Sequence, residues 1–281
     1  MDDRDCVEFL QWALPQLHLR WPGFRKVRRQ VCRRIDRRLR ELGLAGTHAY
    51  RDFLTHNPAE WSRLDSLCPI TISTFYRDKA VFDCIRQRIL PEIAQAAGRR
   101  GESTIRAWSI GCASGEEPYT LMLIWKLATP APAAELALHV LATDVGERVL
   151  DRARTACYGA GSLKLLPAGW REQAFDRVAE RYCLRTEYRT GVDFLAQDIR
   201  ADLPPGGFDL ILCRNLVFTY FSESLQRQIL PRLLARLRPG GFLIIGQREA
   251  LPDSCPDLEV WTAAPGIFHR PERQTSAITW K

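Results

Sequence analysis

What the chain lacks narrows the field first. No apolar run approaches the roughly 18 residues that a membrane-spanning helix needs, so no span is expected. The first residues, Met1-Asp2-Asp3-Arg4-Asp5, are acidic and lack the basic-then-apolar layout of a secretion signal. There are five histidines, none at metal-ligand spacing, and nine cysteines scattered without short paired spacing. An odd count in that pattern speaks against a disulfide framework and a zinc site, and for reduced thiols in a cytoplasm. Internal repeats and low-complexity tracts are missing too. So is any Ser–His–Asp or Cys–His arrangement for nucleophilic catalysis.

What is present suits a well-packed protein of one large or two modest domains: 281 residues, 46% hydrophobic and 10% aromatic. The net charge of +7 is unevenly placed. Ten of the residues from 20 to 40 are Arg or Lys, opposed only by Asp36 and, just beyond, Glu41. Such a cluster is either a solvated face or a surface for an acidic partner.

Helical spacing dominates residues 1–97. Helices are expected at 6–19, 24–42, 47–54 and 58–67. In the second, Val27, Val31, Ile35, Leu39 and Leu42 form one apolar stripe, with arginines on the other faces and Gly43 as its C-cap. A further helix spans 78–97, and Gly98-Arg99-Arg100-Gly101 reads as a linker. From there to 281 strands and helices alternate, which predicts an α/β domain with a parallel sheet covered on both faces. Strands are expected near 105–110, 138–142, 192–195, 208–213 and 242–246, with helices near 116–128, 147–155 and 223–237. Pro239-Gly240-Gly241 reads as a tight turn, and 260–261 with 267–268 as a closing hairpin. The alternation fails over about 158–191. An inserted small subdomain is expected there, with a helix at 163–175 and short strands 181–185 and 186–189 paired together.

The most informative stretch is Ile105–Tyr119: a buried strand, a turn bracketed by Gly111 and Gly115, and a helix opened by Glu116-Glu117-Pro118. Dinucleotide folds set a phosphate at such a helix start. Two glutamates there would repel phosphate and suit a cationic cofactor, for which S-adenosylmethionine (SAM) is the natural choice; the plainer alternative is a strand–turn–helix without a ligand. In an open α/β sheet, ligands bind at the carboxyl ends of strands. Asp144 ends one strand and could hold ribose hydroxyls or cap the next helix. Gln197-Asp198-Ile199 and Cys213-Arg214-Asn215 end two others. Cys213 is read as a small buried apolar residue.

These segments together resemble the CheR-type family of SAM-dependent chemoreceptor glutamate methyltransferases. The resemblance rests on Phe75-Tyr76-Arg77-Asp78, Trp108–Tyr119, Ala142-Thr143-Asp144, Phe208–Asn215 and Leu237–Gly241, and covers about residues 24–270. It implies a Rossmann-like, doubly wound methyltransferase domain with an N-terminal all-helical domain and a small β-subdomain. It also implies roles for particular residues. Arg77 would take the cofactor carboxylate in a catalytic role, and Tyr220 would lie beside the transferring methyl. Thr71, Ser73, Gly111, Ala113 and Glu117 would contact the cofactor, with Glu117 toward the ammonium of its methionyl end. Asp144 would hold the ribose, and Asp198, Ile199, Arg214 and Asn215 would line the adenosyl pocket. No metal is implied. The expected partner is an acidic helical protein met by the arginine helix at 24–42.

The chain also departs from the family pattern. Thr71 and Ser73 stand where asparagine and threonine are usual, and Asp198 replaces an asparagine. Asn215 and Tyr220 are separated by one residue more than usual, which leaves Phe218 or Thr219 as rivals for the tyrosine's place. Gly246-Gln247-Arg248-Glu249 replaces a glycine–histidine–serine–glutamate motif. The inserted subdomain has a shorter loop than members that dock on a receptor tail. Two other outcomes stay open: carboxyl methylation of a non-chemotaxis protein or small acid, and a SAM-binding regulatory or nucleic-acid-binding module without turnover.

Overall fold

A computed structural model describes residues 2–129, 135–261 and 264–272. The chain divides into two compact units, one of residues 1–71 with 216–226, the other of residues 72–215 with 227–281.

The first unit is helical: α1 (Asp3–Gln16), α2 (Trp21–Phe24), α3 (Arg28–Leu42), α4 (Thr47–His56) and α5 (Pro58–Leu67). Asp2 caps α1 by accepting from the Asp5 amide at 2.7 Å. Gly43 ends α3 in the left-handed region, at φ 67°. Val31, Ile35 and Leu39 bury the predicted stripe. The helix expected from residue 24 is broken, however, with α2 and α3 separated by a turn. Gly23 lies within α2, where a Cβ would meet the Thr219 carbonyl oxygen at 2.2 Å. Thr219 and Tyr220 therefore lie directly on α2.

Several of the arginines have structural tasks that composition could not reveal. Arg28 grips both oxygens of Asp3 at 2.9 and 2.8 Å. Arg34 donates to the Leu67 carbonyl at 3.0 Å. Arg38 forks onto buried Glu60 at 2.9 and 2.8 Å, which also accepts from the Tyr50 hydroxyl at 2.8 Å. The Arg38 guanidinium, outweighing burial, holds the Glu60 carboxyl below its ordinary range.

The second unit begins earlier than the expected boundary at residue 97. Its helix α6 (Lys79–Cys84), a π turn (Ile85–Ile89) and α7 (Leu90–Arg99) bury Phe82, Ile85, Ile89 and Ile93 in the same core as Ile105 and Ala107. That apolar face assigns the segment to the sheet's unit. The chain continues through β1 (Thr104–Ile110), α8 (Glu116–Ala128), β2 (Ala137–Asp144) and α9 (Glu147–Thr155). After the insertion come β6 (Val192–Ala196), β7 (Phe208–Cys213), β8 (Leu237–Ile245), β9 (Glu259–Val260) and β10 (Ile267–His269); between β7 and β8 run α12 (Val217–Tyr220), which belongs to the first unit, and α13 (Glu223–Leu234), whose first residues do. The sheet order is β6-β2-β1-β7-β8-β10-β9. β6, β2, β1, β7 and β8 are parallel, and β10 closes antiparallel to β8 and β9. The order reverses between β1 and β7, so the ligand crevice of a doubly wound sheet opens at the carboxyl ends of these two strands.

Pro239-Gly240-Gly241 is not the expected tight turn but part of β8. Gly240 sits at φ 76° where the register with β7 shifts between Phe208 and Leu210. Arg238 beside it joins an ionic cluster around buried Asp209, which also receives Arg100 at 2.8 Å and the Arg106 amide at 2.9 Å.

Within the insertion, β3 (Cys157–Gly159), β4 (Phe175–Val178) and β5 (Arg181–Leu184) form a separate antiparallel sheet in the order β3-β5-β4. The predicted partner strand at 186–189 is instead a 3-10 turn, Thr186–Tyr188, and the helix expected at 163–175 is two short ones, α10 (Ala160–Leu163) and α11 (Trp170–Ala174). The expectation of wholly reduced thiols is also corrected. Cys6 bonds Cys32 and Cys157 bonds Cys183, leaving five free cysteines. Each pair is 26 residues apart, so no short spacing announces it; Cys157 and Cys183 meet because β3 and β5 pair in that register.

Candidate active site

The site starts from how the loop after β1 is held. Gly111 and Cys112 donate their amides to the Thr143 carbonyl at 2.8 and 3.0 Å, binding the loop to the end of β2. Ala113 and Gly115 both take positive φ, 47° and 89°. A Cβ on Gly115 would meet the Ala153 Cβ at 3.0 Å and the Tyr119 ring at 3.1 Å, so only glycine lets α8 start so close to α9.

Asp144 sits opposite that loop. Its Oδ2 accepts from the Ala113 amide and its Oδ1 from the Gly146 amide, both at 2.9 Å. The cap position of α9 is Gly146, with no side-chain cap. Asp144 therefore braces the loop rather than capping the helix, and each oxygen keeps a lone pair for a further donor. Burial pushes its carboxyl above the ordinary range, against the backbone amides that favour the charged form. Val145 beside it is half exposed, an apolar surface that the site-residue expectations omitted.

The two glutamates at the start of α8 play different parts. Glu117 accepts from Ser109 Oγ at 2.8 Å through one oxygen and from Arg214 at 2.8 Å through the other. Arg214 is itself buried; its second terminal nitrogen reaches Asp78 at 2.6 Å and the Arg77 carbonyl at 3.1 Å, and its guanidinium lies 5.1 Å from the Phe82 ring centre. One guanidinium thus serves two carboxylates, and the trio carries a formal excess of one negative charge. That excess suits an ammonium or sulfonium and opposes a phosphate.

Glu116 turns inward. It is 3% exposed, accepts from Ser114 Oγ at 3.2 Å, and has an Oε2 without a hydrogen-bond partner. Burial raises its carboxyl above the ordinary range, and the Ser114 and Ser73 hydroxyls offset only part of this. A folded-state value above the unfolded one stabilises at low pH, and the gain is lost as pH rises through it. Glu116→Gln is therefore expected to flatten the fall in melting temperature above about pH 4.5, checked by thermal melts across pH.

Phe75 and Tyr76 anchor the segment that carries Arg77. Phe75 donates its amide to the Ser162 carbonyl at 2.9 Å and meets Tyr158 edge-on at 4.8 Å. Tyr76 donates its amide to Thr120 Oγ1 at 3.1 Å. Positive φ at Tyr76 and Asp78, 56° and 61°, turns the chain sharply on either side of Arg77. The Arg77 side chain is half-buried and donates to the Ile72 carbonyl at 3.1 Å.

The adenosyl-side residues fall at the other strand ends. Asp198 is clasped by Arg200 at 2.7 Å; burial opposes its ionisation, but the Arg200 guanidinium and amide hold its carboxyl below the ordinary range. Ile199 is buried. Gln197 donates its amide to the Asp144 carbonyl at 2.9 Å and carries a buried Oε1 without a partner. Asn215 takes φ 56°, and its amide donates to Glu249 Oε2 at 3.0 Å.

Ser73, Arg77, Gly111, Ala113, Glu117, Asp144, Asp198, Ile199, Arg214 and Asn215 all belong to the second unit, whereas Thr71 and Tyr220 belong to the first. In the first unit, the Tyr220 ring packs on Phe24 at 4.9 Å, and its carbonyl accepts from the Arg20 amide at 2.8 Å. Of its rivals, Phe218 is fully buried and Thr219 half-buried.

The CheR methyltransferase SAM-binding domain model matches residues 71–265, and the CheR all-alpha domain model matches 26–65. The chain belongs to the CheR methyltransferase family. It is a SAM-dependent methyltransferase. A chemotaxis protein methyltransferase of Listeria monocytogenes is 31% identical over 205 residues, 72% of this chain and 75% of that one. The chemotaxis protein methyltransferase of Escherichia coli is 32% identical over 230 residues, 79% and 76%. An uncharacterized 104.1 kDa protein of Rhodobacter capsulatus is 32% identical over 239 residues, 85% of this chain, which spans only 25% of that protein. All ten second-unit residues named above fall inside the CheR SAM-binding match. Asp78, Ser109 and Glu249 were missing from the expected CheR site, although Asp78 adjoins Arg77 in the motif that carried the resemblance.

Proposed function

We propose that this enzyme esterifies glutamate side chains of a chemoreceptor-like protein. SAM supplies an activated methyl on a sulfonium leaving group. In this reading Arg77 forks onto the cofactor carboxylate, while Ser109 and Arg214 hold Glu117 in one rotamer toward the ammonium. Asp144 accepts from the ribose hydroxyls, and Asp198, Ile199, Arg214 and Asn215 bound the adenosyl part. The family resemblance gives Tyr220 the place beside the methyl. An acceptor glutamate is ionised at neutral pH, so the residues need supply no general base. Their work is to align the acceptor and exclude water.

The observation that carries the acceptor assignment is on α3. Arg29, Arg33 and Arg37, at four-residue steps, are exposed, while Arg28, Arg34 and Arg38 are committed to partners within the first unit. Like charges at that spacing disfavour a helix slightly, and a row of them suits an acidic helix. The names of the Listeria and Escherichia coli relatives support a chemotaxis role. The reading sets the reaction in the cytoplasm, where the two disulfides would face a reducing pool.

The test incubates the enzyme with methyl-labelled SAM and receptor-bearing membranes, then follows methanol released by mild base. Labelled receptor-sized protein supports the proposal. Arg29, Arg33 and Arg37 changed together to glutamine are expected to raise the receptor KM and weaken its salt dependence, with kcat and melting temperature held. The changed motif Gly246-Gln247-Arg248-Glu249 favours a second reading, a different carboxylic acceptor, and base-labile label confined to small molecules would establish it.

A further inference from the structure

β7 and β8 end in register at Cys213 and Ile245. Beyond that pair the two chains diverge, and one side chain ties them together again. Glu249 Oε2 accepts from the Asn215 amide at 3.0 Å and, with the same oxygen, from the Gly246 amide. The turn carrying this carboxylate is closed by the Glu249 amide on the Gly246 carbonyl at 2.9 Å. Asn215 is held in the left-handed region by the clasp, at φ 56°, and its side-chain amide lies across Gly246. A Cβ on Gly246 would meet Asn215 Nδ2 at 2.6 Å and Glu249 Oε2 at 2.8 Å.

We propose that Glu249 is a positioning residue of the cofactor site: one carboxylate oxygen fixes the backbone of Asn215 and thereby aims its side chain. The inference rests on Asn215 being a cofactor ligand. Without the clasp, the Asn215 amide loses its acceptor and the residue relaxes from a conformation that asparagine tolerates but does not prefer. Because a single oxygen takes both donors, glutamine can replace glutamate by using its carbonyl, whereas alanine cannot.

SAM titrated calorimetrically into the full chain tests this, with thermal melts run alongside. Glu249→Ala is expected to weaken SAM about tenfold or more, the loss of a hydrogen bond to a charged group. Glu249→Gln should stay near the parent affinity. In an Asn215→Ala background, Glu249→Ala should cost little more, since it acts through Asn215. Should Glu249→Ala fail to fold, Gly246→Ala is the substitute, because its methyl displaces the Asn215 amide while keeping both donors; it too should weaken SAM. Parent affinity in the folded Glu249→Ala or Gly246→Ala variant, or a loss fully additive with Asn215→Ala, overturns the inference. Parent affinity in Asn215→Ala itself removes the cofactor reading of that residue instead.

Discussion

Arg214→Ala is expected to lower the stability of the protein by about 3–5 kcal/mol, the usual cost of removing one partner from a buried ionic cluster. Among the described residues the guanidinium is the only cation bonded to Glu117, and it also pairs with Asp78. Its removal leaves two carboxylates repelling each other in a poorly hydrated place, next to a helix start that already carries Glu116. Arg214→Lys should recover only part of the loss, since a single ammonium cannot reach both acceptors as a planar fork does. Adding Asp78→Asn to Arg214→Ala should restore some stability by deleting one unpaired charge. Denaturant unfolding of the three variants measures this directly. Equal stabilities would mean that the ion cluster contributes nothing to the fold.

Arg77→Ala has the opposite signature. The side chain makes one hydrogen bond, to the Ile72 carbonyl of its own segment, and the segment is anchored by Phe75 and Tyr76. Stability should therefore change by no more than about 0.5 kcal/mol. SAM affinity should fall about a hundredfold or more, in line with the roughly 2–5 kcal/mol cost of truncating one partner of a desolvated charge pair. Arg77→Lys keeps the charge but not the fork and should fall between. Calorimetry at matched salt decides, and undiminished affinity in Arg77→Ala would remove this residue from the cofactor site.

Much of this architecture was legible because local chemistry and tertiary position agree. The apolar strand before Gly111, the glutamates opening α8 and the Gly43 cap each have one comfortable conformation. The sequence-based reading failed where a distant partner decides the outcome. The glycine at 23, inside α2, is required by the Thr219 carbonyl, far away in sequence. Pro239-Gly240-Gly241 stays in β8 because that strand pairs with β7 on one side and β10 on the other. Cys157 and Cys183 meet through strand register, which spacing does not encode. At the candidate site, residue types singled out particular strand ends, but not how the charges there pair. Glu117 and Arg214 are 97 positions apart, and only the fold shows that they share one cluster with Asp78. Glu249 was visible as the unchanged last residue of an altered motif; its reach back to Asn215 was not.

Transfer of the SAM methyl to a glutamate carboxylate can be read by peptide-level mass spectrometry of chemoreceptor protein incubated with the enzyme and deuteromethyl SAM. The deuterated methyl is expected on glutamate side chains, lost in mild base and absent with Arg77→Ala. Label on nitrogen, sulfur or nucleic acid, stable to base, would contradict it.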